Sequence, residues 1–320
     1  MQIMKCNTII DASYPLVSII IPCHNDGEYL MEAVESALSQ TYPNIEVIIV
    51  DDASSDHATI SILESISHPR VKVYRNEENL HLSGARNKGI SLSNGKYIMP
   101  LDADDKIDMS YVQKAVEVIE NNRSIGVVFC KGVLFGVQSG PFNLPEYSLD
   151  YMLIGNTVFA TALFSKADWE KVGGYSEGLK SGLEDYDFWL SFLELGKEIY
   201  QIPEVLFYYR IKEKSMSTDL NDDLLVMKKA YAQVYQNHPH LYEKYKDRYL
   251  LKLRDVQLDM QFNSRKLSIA LATADVTIRQ QSEDICRLER EMKLIEQSTS
   301  WRITKPIRAL GDVIRRLFRA

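Results

Sequence analysis

No run of apolar residues in this chain approaches the ~18 to 20 needed to span a bilayer. Cysteine is sparse: Cys6, Cys23, Cys130 and Cys286 lie far apart with no C-x-x-C spacing. Neither a zinc site nor a disulfide framework is indicated, and a reducing cytosol fits. The opening "MQIMKCNTIIDAS" lacks the apolar core of a secretory signal. Positive charge is in deficit, with a net charge of −7, which argues against a general nucleic-acid binder. No G-x-G-x-x-G follows the first apolar run, so a dinucleotide site is disfavoured.

What is present is ordinary globular material, 320 residues of which 45% are hydrophobic and 25% charged, enough for one large or two modest domains. "PLVSIIIPC", "NIEVIIVDD", "VKVYRN", "YIMPL" and "IGVVFCKG" read as strands. Between them lie segments of helical spacing: Leu30, Ala33, Val34, Ala37 and Leu38 in the first, "SDHATISILESI" with Asp56 or Ser55 as cap, "LSGARNKGISLS", and "MSYVQKAVEVIENN". Alternating strand and helix, with strands apolar on both faces, predicts a doubly wound, mostly parallel α/β sheet. From about Pro141 to Gly182 the pattern breaks up. A helix is expected from Glu184, with Phe188, Trp189, Phe192 and Leu193 on its core face, and "KEIYQIPEVLFYYRI" reads as two short strands.

Ligands on such sheets bind at the carboxyl ends of the strands. Three strands here end in polar clusters: "CHND" (23–26), "DDASSD" (51–56) and "DADD" (102–105). Carboxylates about 5 Å apart repel by roughly 3 kcal/mol at an effective dielectric near 20. Asp102, Asp104 and Asp105 therefore form either a solvated turn with a helix cap or a site that awaits a cation.

After Ser217 the chain reads as helix, broken at His238-Pro239. From Leu250 a heptad appears: Leu250, Leu271, Ile278, Ile285 and Met292 in one register, and Leu253, Met260, Leu267, Ala274, Leu288 and Ile295 in the other, with Gln257, Ser264 and Gln281 interrupting. A self-associating coiled coil over 250–297 is one reading, and a long helix packed on its own domain is the other. Residues 301–320 carry +5, leaving −12 on the first 300. "SWRITKPIRALGDVIRRLFRA" puts Ile307, Leu310, Val313, Ile314, Leu317 and Phe318 on one face and arginines on the other. That is the pattern of a helix lying at an anionic membrane surface, or of one docked on the body.

"PLVSIIIPCHND", "VIIVDDASSD", "NLHLSGARNKGI", "YIMPLDADD", "VGGYSE" and "EDYDFW" resemble, in order and spacing, the family 2 glycosyltransferases, inverting nucleotide-sugar enzymes of GT-A fold. The resemblance runs from about Pro15 to Ser217, and "STSWRITKPIRAL" resembles a tail of bacterial polysaccharide-assembly members. It implies a UDP-sugar donor and a divalent cation, Mn²⁺ or Mg²⁺, with Asp104 as metal ligand and Asp102 at the ribose or the metal. Asp51 and Asp52 would meet uracil or ribose, with Pro22, His24 and Asn25 lining the base pocket and Arg86 as the donor-site arginine. Asp185 is the candidate base, since an inverting transfer must deprotonate the attacking hydroxyl. Glu184 would orient the acceptor, Trp189 could wall its pocket, and Gly173 and Gly174 would permit a tight loop beneath it. Many members carry a histidine where this chain has Lys212; Lys212 and Arg210 can instead pair with the diphosphate.

The resulting expectation is a transferase domain over 1–217, a helical connector over 218–249, the coiled coil over 250–297 and a membrane-associating tail over 298–320. The acceptor would be a glycan, lipid-linked in surface-polysaccharide assembly, and the protein would be cytoplasmic, peripheral on the inner face of the cell membrane. Two other classes compete. A nucleotidyltransferase needs a cationic Gly-rich loop after the first strand, which "CHNDGEYL" does not supply. A non-catalytic scaffold on a decayed transferase fold is disfavoured by the surviving "DADD" and "ED".

Overall fold

The computed structural model describes residues 14–179, 182–212 and 223–304. The chain divides after Lys252 into two compact units.

The first unit begins with β1 (Val17–Cys23), α1 (Gly27–Leu38), β2 (Ile45–Asp51), α2 (His57–Ser65), β3 (Val71–Arg75), α3 (His81–Leu92) and β4 (Tyr97–Pro100). Every residue of β1, β2 and β4 is buried. β1 runs parallel to β2 from Val17↔Ile45 to Cys23↔Asp51 and parallel to β4 on its other side. Helices cover both faces, which is why these strands carry no polar alternation. α3 packs so closely that a Cβ on Gly89 would lie 2.5 Å from Ile20 Cγ2, so only glycine fits there. Asp56 caps α2, its carboxylate accepting from Thr59 N at 2.8 Å.

The chain continues with β5 (Lys106–Ile107), α4 (Tyr111–Asn121), β6 (Ile125–Gly136), β7 (Gly140–Pro141), α5 (Leu149–Met152), β8 (Leu163–Ser165), α6 (Lys166–Val172), α7 (Glu184–Glu194) and β9 (Glu198–Ile211). The sheet order is β3-β2-β1-β4-β8-β6-β9-β5, with β7 on β6. The longer pairings, β1 with β2 and β4, β2 with β3, and β6 with β9, are parallel, in line with the mostly parallel expectation, and the short ones are antiparallel. β8 inserts between β4 and β6 and runs antiparallel to both, so the sheet is mixed. β8 comes from the stretch without periodicity and is three residues long, too short to show a pattern. The segment read as two strands is the single β9, parallel to β6. Its register shifts between Gln201 and Val205, and Pro203, which has no N–H for the ladder, sits in that irregularity.

α8 (Leu224–Asn237) and α9 (Pro239–Lys244) complete the unit, with the first residues of α10 (Lys246–Gln297). His238, at the break between α8 and α9, lies 3.2 Å from Asp187 Oδ1 and 3.1 Å from Glu194 Oε2, fastening this junction to α7. Arg248 of α10 donates to Asp150 at 2.6 Å.

The second unit holds the remainder of α10 and α11 (Thr299–Ile303), capped by Ser298. No residue of α10 is buried, and its apolar heptad positions are open to solvent. The tail read as amphipathic lies outside the described residues from position 305 onward. Among the described residues no helix is long and apolar enough to cross a membrane.

Candidate active site

The carboxyl ends of β1, β2 and β4 open onto a cavity of about 600 Å³, and the N-terminus of α7 closes its far side. From the end of β1 come Pro22, Cys23, His24 and Asp26. Asn25 does not line the cavity. It adopts φ +55, and its Oδ1 accepts from the backbone N–H groups of Ser55 and Asp56 at 2.8 Å each, tying the β1 loop to the β2 loop. His24 Nδ1 donates to the Asp52 carbonyl at 2.6 Å.

The two aspartates after β2 divide. Asp52 lines the cavity, and its Oδ1 accepts from Asn76 Nδ2 (2.8 Å) and Leu80 N (2.9 Å). Asp51 lies behind it, buried, accepting from Ser54 N at 2.9 Å and paired with Arg75 at 3.3 Å. Asp51 was expected beside the nucleotide; the structure uses it to hold the loop.

The three acids after β4 relieve their repulsion in three ways. Asp102 Oδ1 accepts from Arg86 at 2.8 Å. Asp104 Oδ2 pairs with Lys212 at 2.7 Å, while burial pushes its carboxyl up against that partner. Asp105 is buried and accepts from Arg210 N at 2.8 Å; burial, then the charges of Asp104 and Asp102, push its carboxyl well above the usual carboxylate range. Asp105 is not a helix cap, since Ser110 holds that place on α4.

Arg86 joins the two halves of the cavity. Fully buried on α3, it donates to Asp102 on one side and to Glu184 Oε1 on the other, both at 2.8 Å, under the ring of Tyr175 at 5.5 Å. Burial opposes its charge, but the two carboxylates outweigh it and raise its pKa. The tight loop that carries Tyr175 is supported by Gly173 and Gly174 at φ +82 and +80, where a Cβ on Gly174 would meet Asn87 Oδ1 at 2.7 Å.

Asp185, in the first turn of α7, accepts from Asn156 Nδ2 at 2.9 Å and from Tyr186 N at 2.7 Å. Burial, then the charge of Glu184, pushes its carboxyl up to about 7 against the opposing Arg86. A carboxylate titrating near neutrality is suited to accept a proton. Asn156 Oδ1 accepts from Val158 N, which fixes the amide so that its NH₂ faces Asp185.

Trp189 does not wall the cavity. It is 0% exposed and packs on Phe164, Phe188 and Phe192 in the core of the first unit. Arg210 is also turned away: Nε donates to the Asp104 carbonyl at 2.7 Å, its guanidinium pairs with Glu32 at 2.9 Å, and it lies over Tyr29 and Phe135. Lys212 does line the cavity, reaching Asp26 Oδ2 at 2.8 Å as well as Asp104. Sequence reasoning missed Asn79, Asn156 and an aromatic wall of Phe142, Phe159, Phe207 and Tyr209. The wall draws on the aperiodic stretch and on β9, and no pattern announced it.

Among the described residues no group of three or more His, Cys, Asp or Glu side chains is arranged to hold a metal ion. Asp102 and Asp104 each keep one carboxylate oxygen without a hydrogen bond among the described residues. Mg²⁺ and Mn²⁺ take few protein oxygens when phosphates and water complete the shell. The donor set thus fits an ion that arrives with a diphosphate.

The profile of Glycosyl transferase family 2 matches residues 18–159. An uncharacterized glycosyltransferase of Haemophilus influenzae is 35% identical over 215 residues, covering 64% of this chain and 72% of that protein. The putative teichuronic acid biosynthesis glycosyltransferase TuaG of Bacillus subtilis is 34% identical over 212 residues, covering 64% and 82%. Other relatives are longer, and the chain spans 22% and 27% of two of them. Among solved structures, S. aureus TarS 1-349 in complex with UDP-GlcNAc superposes with a TM-score of 0.55 at 20% identity, over 75% of this chain and 80% of that one. At that identity the likeness speaks for the fold.

Proposed function

The chain belongs to glycosyl transferase family 2, and from that premise we propose that it moves a sugar from a UDP-sugar to a hydroxyl of a glycan acceptor, with inversion, in bacterial surface-polysaccharide assembly. The observation that carries this reading is the single cavity in which Asp52, Asp102 and Asp104, from the ends of parallel strands, face Glu184 and Asp185 of α7. The UDP and UDP-GlcNAc complexes of TarS support a UDP-sugar as the donor.

In this reading the base rests by Pro22 and His24, and Asp52 accepts from a hydroxyl or N–H of the nucleoside. The diphosphate lies toward Asp102, Asp104 and Lys212. Asp104 and Asp102 would hold a divalent ion, whose chemistry there is to neutralise the diphosphate. Asp185 takes the proton of the acceptor hydroxyl as its oxygen bonds the anomeric carbon. The bond from that carbon to the diphosphate oxygen breaks, its electron pair leaves on UDP, and the configuration inverts. Such base assistance is worth about 10²- to 10⁴-fold in rate. Arg86 keeps Glu184 and Asp102 in place, so the acceptor and donor halves share one cation.

Residues 250–297 are assigned to self-association, with the exposed apolar heptad as the seam, and residues 298–320 to a peripheral hold on the anionic inner face of the cell membrane. Several tails on one oligomer would bind a membrane together, and the acceptor would be lipid-linked.

The test is UDP release from a panel of UDP-sugars and glycan acceptors, with and without Mn²⁺, in the native chain and in Asp185→Asn. Transfer should vanish in the variant while UDP still binds. Retained turnover would remove Asp185 from the base role.

A further inference from the structure

The diphosphate side of the cavity already holds a cation of its own. Lys212, just past β9, bridges Asp26 from the end of β1 (2.8 Å) and Asp104 from the end of β4 (2.7 Å). Two other cations close to these acids are committed elsewhere, Arg86 to Asp102 and Glu184, and Arg210 to Glu32 and the Asp104 carbonyl. The ammonium thus sits on the very carboxylate that a divalent ion needs, and a +1 and a +2 charge on one carboxylate repel.

We propose that Lys212 is an exchangeable counter-ion, which holds Asp104 and Asp26 while the donor site is empty and passes to the diphosphate when nucleotide and divalent ion arrive together. This rests on the UDP-sugar reading given above. Three observations support the exchange. A lysine is a point charge on a flexible four-carbon stem, able to change partners where a bidentate guanidinium is held by its geometry. The side chains of Lys212 and Asp26 are 23% and 28% exposed, so neither is locked by packing. The second oxygen of Asp104 and one of Asp102 have no hydrogen bond among the described residues, so an ion can be received as the ammonium leaves.

The exchange makes Lys212 act with opposite sign in two equilibria. Without nucleotide, its ammonium competes with the ion for Asp104. With nucleotide, the same ammonium binds the diphosphate and favours the complex. Ion and nucleotide must then raise each other's affinity by the same factor. A side chain that only supported the fold would weaken both.

The full chain and Lys212→Met are titrated with Mn²⁺, read by the electron paramagnetic resonance of the free ion, and with UDP by calorimetry. Without UDP, Lys212→Met should bind Mn²⁺ roughly tenfold or more tightly than the native chain, since two carboxylates lose their counter-charge. At saturating Mn²⁺, the same variant should bind UDP roughly tenfold or more weakly. Lys212→Arg, which keeps the charge, should leave the nucleotide-free Mn²⁺ affinity within about threefold of native. Lys212→Gln serves the same comparison if circular dichroism shows the methionine variant unfolded. Unchanged or weaker Mn²⁺ binding by the neutral variants without UDP would overturn the exchange. Failure of the native chain to bind UDP, with or without Mn²⁺, would overturn the donor reading and the exchange with it.

Discussion

Replacing Asn156 by leucine should move the pH dependence of transfer without abolishing it. Asn156 Nδ2 donates to Asp185 Oδ2 at 2.9 Å, a hydrogen bond that favours the ionised carboxylate. Hydrogen bonds to charged groups contribute about 1.5–3 kcal/mol. At 1.36 kcal/mol per pKa unit, losing this one raises the Asp185 carboxyl by about one to two units above its value of about 7. A raised pKa leaves less base at a given pH, so the rate limb moves to higher pH. At pH 7 the ionised fraction falls from about a half to between about a tenth and a hundredth, and kcat/KM falls about five- to fiftyfold. Most of the loss should return by about pH 9.5. The assay is kcat/KM for acceptor-dependent UDP release from about pH 5.5 to 10 in the native and variant chains. A loss of the same factor at every pH would refute the argument, because it would place Asn156 in folding or binding rather than in holding the proton.

Four further outcomes are expected. His238 is buried between Asp187 and Glu194; burial opposes its charge, but the two carboxylates win and raise its pKa above the ordinary value near 6.5. Its contribution to stability is therefore complete below about pH 6.5 and lost as pH rises through the folded value, a decline in melting temperature that His238→Gln should flatten. Trp189→Ala should cost about 3–5 kcal/mol in urea unfolding through the cavity it leaves among Phe164, Phe188 and Phe192, with no change in acceptor preference. Deleting residues 250–297 should convert an oligomer to a monomer by light scattering; a native chain that is already monomeric would contradict the coiled-coil assignment. Deleting residues 301–320 should release the protein from anionic vesicles in a sedimentation assay, and undiminished binding would contradict the membrane assignment.

The first half of the fold is readable because its strands are buried on both faces. Val17–Cys23 and Ile45–Asp51 are unbroken apolar runs for that physical reason, and the Asp56 cap follows from its short side chain ahead of a helical pattern. Past Pro141 legibility fails where elements are short. Leu163–Ser165 is too brief for any period, yet its antiparallel insertion makes the sheet mixed. Pro203 suggests a strand break, but the irregularity beside β6 absorbs it. In the site, Asp104 and Asp185 show in sequence as acids at element ends, and both do face the cavity. Which of two adjacent aspartates faces inward does not show: Asp52 lines the cavity while Asp51 is tied to Arg75. Pairings across 98 residues, such as Arg86 with Glu184, leave no local trace. Trp189 illustrates the opposite error, since a ring one turn from Glu184 and Asp185 points into the core because α7 buries that face.

The most direct measurement is a crystal structure of the full chain with UDP and Mn²⁺. The account predicts uracil beside Pro22 and His24, the diphosphate within ion-pair reach of Lys212, and the metal on Asp104, with Asp185 left open across the same cavity. Nucleotide bound on another face, or a diphosphate that touches none of Asp102, Asp104 and Lys212, would contradict it.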